Sequence, residues 1–139
     1  MADISQRIER MVAVLDENKT ALDAARLMSE RFIGSVVVTG SATVKGIFTE
    51  RDLMKCVIAA GLDPAAVKLK DSMCQRLVTV PPDENVERCL ELMKQNQCRH
   101  LLVFEGKEFV GIVSLRDLVQ LLLDEKERLI QELTRYITS

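Results

Sequence analysis

The chain has 139 residues, 47% hydrophobic and 29% charged, with a formal net charge of −2. That length suits one compact domain, here two fused halves sharing a core. Mixed, nearly balanced charge excludes the basic patch that nucleic acid or an anionic membrane requires.

In chain order, Met1 to Arg10 is polar and lacks the apolar core of a signal peptide. No apolar stretch is long enough to span a bilayer, so no membrane partner and a cytoplasmic location are expected. Met11-Val12-Ala13-Val14 predicts a first strand. Ala21, Ala24, Ala25 and Met28 recur at helical spacing. Val36-Val37-Val38 is a short apolar run fit for a buried strand, and Gly40 to Thr43 is a hairpin turn. A third strand then leads into a helix, and Gly61-Leu62-Asp63-Pro64 breaks the chain.

The same order then returns. Leu77-Val78-Thr79-Val80 predicts a strand that Pro81-Pro82 ends. Val86, Cys89, Leu90 and Met93 carry the next helix, Leu101-Leu102-Val103-Phe104 the next buried strand, and Glu105 to Glu108 the next turn. The reading is an α+β fold of two β-α-β-β-α repeats, the first over 8–62 and the second over 67–123, with an extended C-terminal helix over 118–138.

The repeat is carried by one phrase. Gly46-Ile47-Phe48-Thr49-Glu50-Arg51-Asp52-Leu53 returns as Gly111-Ile112-Val113-Ser114-Leu115-Arg116-Asp117-Leu118. A long period used twice indicates two copies of one supersecondary unit rather than a solenoid. The ungapped match runs from Thr20 to Lys55 onto Asn85 to Gln120. Upstream, Met11 to Val14 aligns with Leu77 to Val80 after a small length difference.

Thr49-x-x-Asp52 and Ser114-x-x-Asp117 have two readings. As helix starts they are capping boxes with aspartate in place of glutamate. As a ligand site, a helix N-terminus after a glycine-bearing strand receives anions. There the hydroxyl donates to phosphate, and the carboxylate accepts from adjacent hydroxyls such as a ribose diol.

With these residues the chain resembles a tandem pair of cystathionine β-synthase (CBS) domains, often called a Bateman module, of the small stand-alone bacterial type. The resemblance covers Met11 to Leu122. It rests on Gly-x-x-[Thr/Ser]-x-x-Asp, on Ala24-x-x-x-Met28 and Cys89-x-x-x-Met93, and on Ile33-Gly34-Ser35-Val36-Val37-Val38 and Arg99-His100-Leu101. It implies two repeats packed as a pseudo-twofold pair. Adenosine nucleotides of the AMP, ATP or NAD type would bind in clefts that take walls from both copies. By position, Asp52 and Asp117 would hold ribose hydroxyls, and Thr49 and Ser114 ribose or phosphate. Ile33, Gly34 and Ser35 in one copy, and Cys98, Arg99 and His100 in the other, would lie near adenine or phosphate. Gly34-Ser35 is small and uncharged, whereas Arg99 offers a guanidinium fork. Two unequal clefts are therefore expected, with phosphate held mainly through Arg99 and His100.

Other residues have plainer readings. No pair of Cys56, Cys74, Cys89 and Cys98 has Cys-x-x-Cys spacing. They are read as small buried hydrophobes in a reducing compartment. His100, the single histidine, has no nucleophile or orienting partner for catalysis. Arg51 and Arg116 are read as salt-bridged to the neighbouring aspartates, with phosphate contact as the alternative. Leu118, Leu122, Leu129, Leu133 and Ile137 share one helix face, interrupted by the charged run 124–128, and suggest a homodimer contact, the alternative being a helix folded back onto its own module.

The resulting expectation is a regulatory module that senses an adenosine nucleotide, needs no metal and controls a partner protein encoded elsewhere. The alternative is a ligand-independent dimerising protein in which the repeated phrase only caps helices. No enzymatic signature is present, so no enzyme activity is expected.

Overall fold

The computed structural model describes residues 3–138. It contains two three-stranded sheets of the same design. In the first, β1 (Val14–Asp16) lies parallel to β2 (Ser35–Gly40), which pairs antiparallel with β3 (Thr43–Thr49). Helix α1 (Ala21–Arg31) makes the crossover between β1 and β2. Strand β3 ends in a short helix α2 (Glu50–Asp52), which runs on into a π-helical stretch over Leu53–Ile58. After the one-turn helix α3 (Leu69–Ser72), the second sheet repeats the design. It consists of β4 (Thr79–Val80), helix α4 (Val86–Asn96), β5 (His100–Glu105) and β6 (Glu108–Ser114). A long helix, α5 (Leu115–Thr138), ends the chain.

Register shows how close the duplication is. Val14 stands opposite Val37 and Thr79 opposite Leu102, and the bulge at Val38/Thr39 recurs at Val103/Phe104. Both comparisons keep one constant offset. Met11 therefore corresponds to Arg76, and the length difference expected upstream does not exist. The first strands also begin later than their apolar residues suggested, at Val14 and Thr79.

Each sheet buries one side against its own helix. Met28, Val36, Val38 and Phe48 form one core with Leu69; Met93, Leu101, Val103 and Leu118 form the other with Ile4. Ile4 and Leu69 are fully buried, and neither is contributed by its own repeat. The chain divides into a unit from Met11 to Leu77 and a unit that joins the N-terminal segment up to Arg10 to the chain from Val78 onward. The lead-in of each repeat thus completes the other one. Ile4 N–H donates to Glu84 O at 3.0 Å, and Leu69 N–H to Lys19 O at 2.8 Å. Glu9 bridges Ile112, and Cys74 bridges Ile47, each as an extra strand residue beside the sheet.

This exchange explains the glycine of the repeated phrase. A Cβ on Gly46 would sit 2.7 Å from Cys74 O, and one on Gly111 would run into Glu9 O. Only a residue without a side chain lets the passing backbone seat there.

The cysteines divide. Cys89 is buried, and burial, with a smaller contribution from Glu84, pushes its thiol up to about 11. Cys98 is partly buried, but Cys56 and Cys74 are exposed, against the expectation that all four are buried. Cys56 falls on the outer side of the π-helical stretch, and Cys74 at an edge bridge that only its backbone forms.

Helices α1 and α4 both end on a left-handed residue, Phe32 at φ 55° and Gln97 at φ 52°. Phe32 is also 95% exposed. A bulky residue in that conformation gains nothing from packing here. Phe32→Gly is expected to raise stability by up to about 1 kcal/mol, read as a higher midpoint in thermal melting. An unchanged or lower midpoint would show that the ring has a stabilising contact.

Candidate functional site

Each sheet brings the second half of the repeated phrase to the opening of its central strand. In the first unit Ser35 stands opposite Thr49, and Glu50 N–H donates to Gly34 O at 3.0 Å. In the second unit His100 stands opposite Ser114, and Leu115 N–H donates to Arg99 O at 2.8 Å. Ile33 and Cys98 follow the left-handed residues and are fixed by bonds from their N–H groups to Met28 O and Met93 O, both at 3.0 Å. Every residue singled out from the sequence therefore lies at the same end of its own sheet. Thr49, Asp52, Ser114 and Asp117 are half-buried, as are Ile33, Gly34, Cys98 and His100. Arg99 is exposed and Ser35 is buried.

The hydroxyl and carboxylate interlock in the same way in both copies. Thr49 N–H donates to Asp52 Oδ2 at 2.9 Å and the Thr49 hydroxyl donates to the same oxygen at 3.0 Å, while Asp52 N–H donates to Thr49 Oγ1 at 3.2 Å. The corresponding distances for Ser114 and Asp117 are 2.9, 2.8 and 3.2 Å. The capping-box geometry is thus present. All three bonds involve Oδ2 or the hydroxyl, and Oδ1 takes none of them. A carboxylate has about four lone-pair positions, so each aspartate keeps acceptor capacity on the oxygen that the cap does not use.

A third box shows what the cap alone does. Thr20 and Asp23 interlock at the start of α1, with distances of 3.0 and 3.1 Å, at the opposite end of the first sheet. Hydrogen bonds from the Thr20 backbone N–H and then its hydroxyl hold the Asp23 carboxyl below its ordinary value. That box lies where β1 and β2 finish, at the other end of the sheet from the opening of the central strand. The distinguishing feature of Thr49–Asp52 and Ser114–Asp117 is therefore their place beside Gly34-Ser35 and Arg99-His100, not the cap.

Arg51 and Arg116 are exposed, and among the described residues neither forms an ion pair with the adjacent aspartate. The expected salt bridges are absent because each aspartate turns back toward the strand end to cap the helix.

Two further features belong to the first site. The Glu50 carboxylate lies over Gly34, where a Cβ would come within 2.6 Å of its Oε1. Exposed Met11 and Phe32 occupy the same sheet end, by the parallel register of β1 with β2. Where the first site has Glu50 and Phe32, the second has Leu115 and Gln97. The first site is thus acidic and apolar, while the second carries Arg99 and no counterpart of the Glu50 carboxylate. The signal was present in the sequence, as Thr-Glu-Arg-Asp against Ser-Leu-Arg-Asp, but only as a difference between copies. Among the described residues no group of three or more metal-ligating side chains is present, and no helix is long and apolar enough to cross a membrane.

Comparison with known proteins agrees with the duplicated geometry. The sequence profile of the CBS domain matches twice, over residues 2–59 and 69–124. The mitochondrial CBS domain-containing protein CBSX3 of Arabidopsis thaliana is 33% identical over 123 residues, covering 85% of this chain but only 60% of that protein. The CBS domain-containing protein YhcV of Bacillus subtilis is 31% identical over 118 residues, covering 85% of this chain and 84% of the relative. Among solved structures, a protein with CBS domains from Burkholderia ambifaria superposes with a TM-score of 0.85 at 27% identity, covering 88% of this chain and 95% of that one. A hexameric CBS-CP12 protein from bloom-forming cyanobacteria gives 0.78 at 28% identity, covering 86% and 70%.

Proposed function

The chain belongs to the CBS-domain family, as a tandem pair, and we propose that it is a regulatory, non-catalytic module that binds an adenosine nucleotide of the AMP, ATP or NAD type at its two motif sites. One observation carries this reading: the same hydroxyl–carboxylate pair, with Oδ1 left outside the cap, stands beside the opening of the central strand in both units. Asp52 and Asp117 accept from the ribose hydroxyls. Thr49 and Ser114 meet ribose or phosphate. Ile33, Gly34 and Ser35, and Cys98, Arg99 and His100, face the base or the phosphates.

The two sites divide the work by charge. Arg99, exposed beside half-buried His100, favours phosphate through charge-assisted hydrogen bonds. Glu50, lying over Gly34, repels it. Binding favours one arrangement of the chain over another by no more than the difference in affinity between the two, and that difference is the signal passed to a partner protein. The hexameric relative supports self-association, and the reading includes a homodimer acting in the cytoplasm. The Thr20–Asp23 box, a cap away from the opening of its central strand, favours the second reading: a ligand-independent dimerising protein whose repeated phrase only caps helices.

Titration calorimetry with adenosine, AMP, ATP and NAD separates the two. Saturable binding of at least one nucleotide is expected. Arg99→Ala should weaken the phosphorylated ligand by about tenfold or more while leaving adenosine almost unchanged. If no adenosine ligand binds, the second reading stands.

A further inference from the structure

Helix α5 extends well past the point where the repeat ends. Its counterpart in the first unit stops at Ile58, whereas α5 continues to Thr138. The last tertiary anchor along it is Asp124, which pairs with Arg7 at 2.7 Å. From Lys126 to Thr138 every residue is exposed. A helical segment this short is marginal in water unless an apolar face is packed. This one has such a face: Leu129, Ile130, Leu133, Tyr136 and Ile137 are all more than half exposed, and they recur every three or four residues. Toward the body of the unit the stripe continues through exposed Leu123 and Val119.

The charges along the stripe identify its occupant. The segment 124–138 carries four acidic and three basic residues, interleaved. A membrane surface or nucleic acid calls for a lysine- and arginine-rich polar face, which is absent. A strongly charged foreign peptide would need a face of the opposite sign. A second copy of the same helix meets the pattern, because the stripe holds its own complement. Lys126 lies in the seam, with Glu125 and Glu132 on its flank. In a parallel pair Lys126 would face its own copy. In an antiparallel pair centred between Glu127 and Arg128, Lys126 lies across from the partner's Leu129, within reach of the partner's Glu125 and Glu132. Leu122 then meets the partner's Leu133, Val119 meets the partner's Tyr136, and Leu123 packs diagonally against the partner's Ile130. A single lysine in such a seam sets register and orientation.

We propose that the distal half of α5 pairs antiparallel with the same helix of a second copy, along the stripe from Val119 to Ile137 and in register about Lys126. The proposal rests on the homodimer part of the reading above and is independent of any ligand.

Sedimentation equilibrium of the full chain, alongside Leu129→Asp and Leu133→Asp, tests the surface. The wild-type chain should be dimeric, and each variant should weaken association at least about tenfold while still melting cooperatively, with a midpoint matching that of the wild-type chain diluted to monomer. Lys126→Leu should retain or tighten association. A second measurement fixes orientation: Val119→Cys and Tyr136→Cys proteins, with Cys56, Cys74 and Cys98 replaced by serine, are mixed and oxidised. A disulfide joining position 119 of one protein to position 136 of the other is expected. A dimer unaffected by the aspartate variants overturns the surface but leaves the homodimer standing. Cross-linking only of Tyr136→Cys with itself overturns the antiparallel register. A monomeric wild-type chain overturns both proposal and homodimer, including when the stripe is found to bind vesicles or another protein.

Discussion

Replacing Gly111 with alanine should lower stability by about 1–3 kcal/mol, a fall of several degrees in melting midpoint. The added methyl meets Glu9 O and C and the Ile8 side chain. The nearest atom belongs to backbone held from both sides, by Glu9 N–H to Ile112 O at 2.8 Å and Ile112 N–H to Glu9 O at 3.0 Å. Backbone in a two-bond bridge cannot step aside as a flexible side chain can, so relief requires the N-terminal segment to lift. Lifting it also withdraws Ile4 from the core. Amide exchange should therefore accelerate at Glu9 and Ile112 together. Gly46→Ala meets Cys74 O, held in the same kind of bridge with Ile47, at 2.7 Å and should cost less, because that overlap is milder than the one at Gly111 and the Met73 side chain beside it can move. A Gly111→Ala chain with the wild-type midpoint would mean that the segment is not seated on Ile112.

The second large effect concerns Asp52 and Asp117. Asparagine keeps a carbonyl oxygen that can accept from the Thr49 or Ser114 N–H and hydroxyl. The helix starts should survive, with losses below about 1 kcal/mol without ligand. A bound ribose, however, loses a charged acceptor, which corresponds to roughly tenfold to a hundredfold in affinity. Thermal shift shows both at once. Ligand at a hundred times its dissociation constant adds about 2.7 kcal/mol, or several degrees, to the wild-type chain. The increment should shrink in whichever variant alters an occupied site. Equal ligand shifts in wild type and both variants would assign the aspartates to capping alone.

The repeat could be read because its side chains are constrained twice over. Val36 to Val38 and Leu101 to Val103 must be apolar to be buried, and the glycine, hydroxyl and aspartate of the phrase each have a backbone duty. The exchange of lead-in segments left no comparable trace. Ile4 matches Leu69 in burial and Glu9 matches Cys74 in bridging, but those bridges are made by backbone atoms and place little demand on side-chain type. The π-helical stretch after Asp52 was likewise invisible, since Leu53–Ile58 has the same apolar spacing as the α-helix that follows Asp117. At the site, the motif residues were legible as a shared pattern. Glu50, Met11 and Phe32 were not, because their meaning lies in how one copy departs from the other.

The most direct measurement is a double-mutant cycle between the aspartates and the ribose diol. Affinity is measured for an adenosine nucleotide and for its 2′,3′-dideoxy analogue, in the wild-type chain and in Asp52→Asn and Asp117→Asn. If the carboxylates hold the diol, the analogue should bind the wild-type chain at least about tenfold more weakly, and the difference should largely vanish in the variant of the occupied site. An analogue that binds the wild-type chain as tightly as its parent would contradict ribose recognition by the aspartates and leave the repeated phrase as a helix cap.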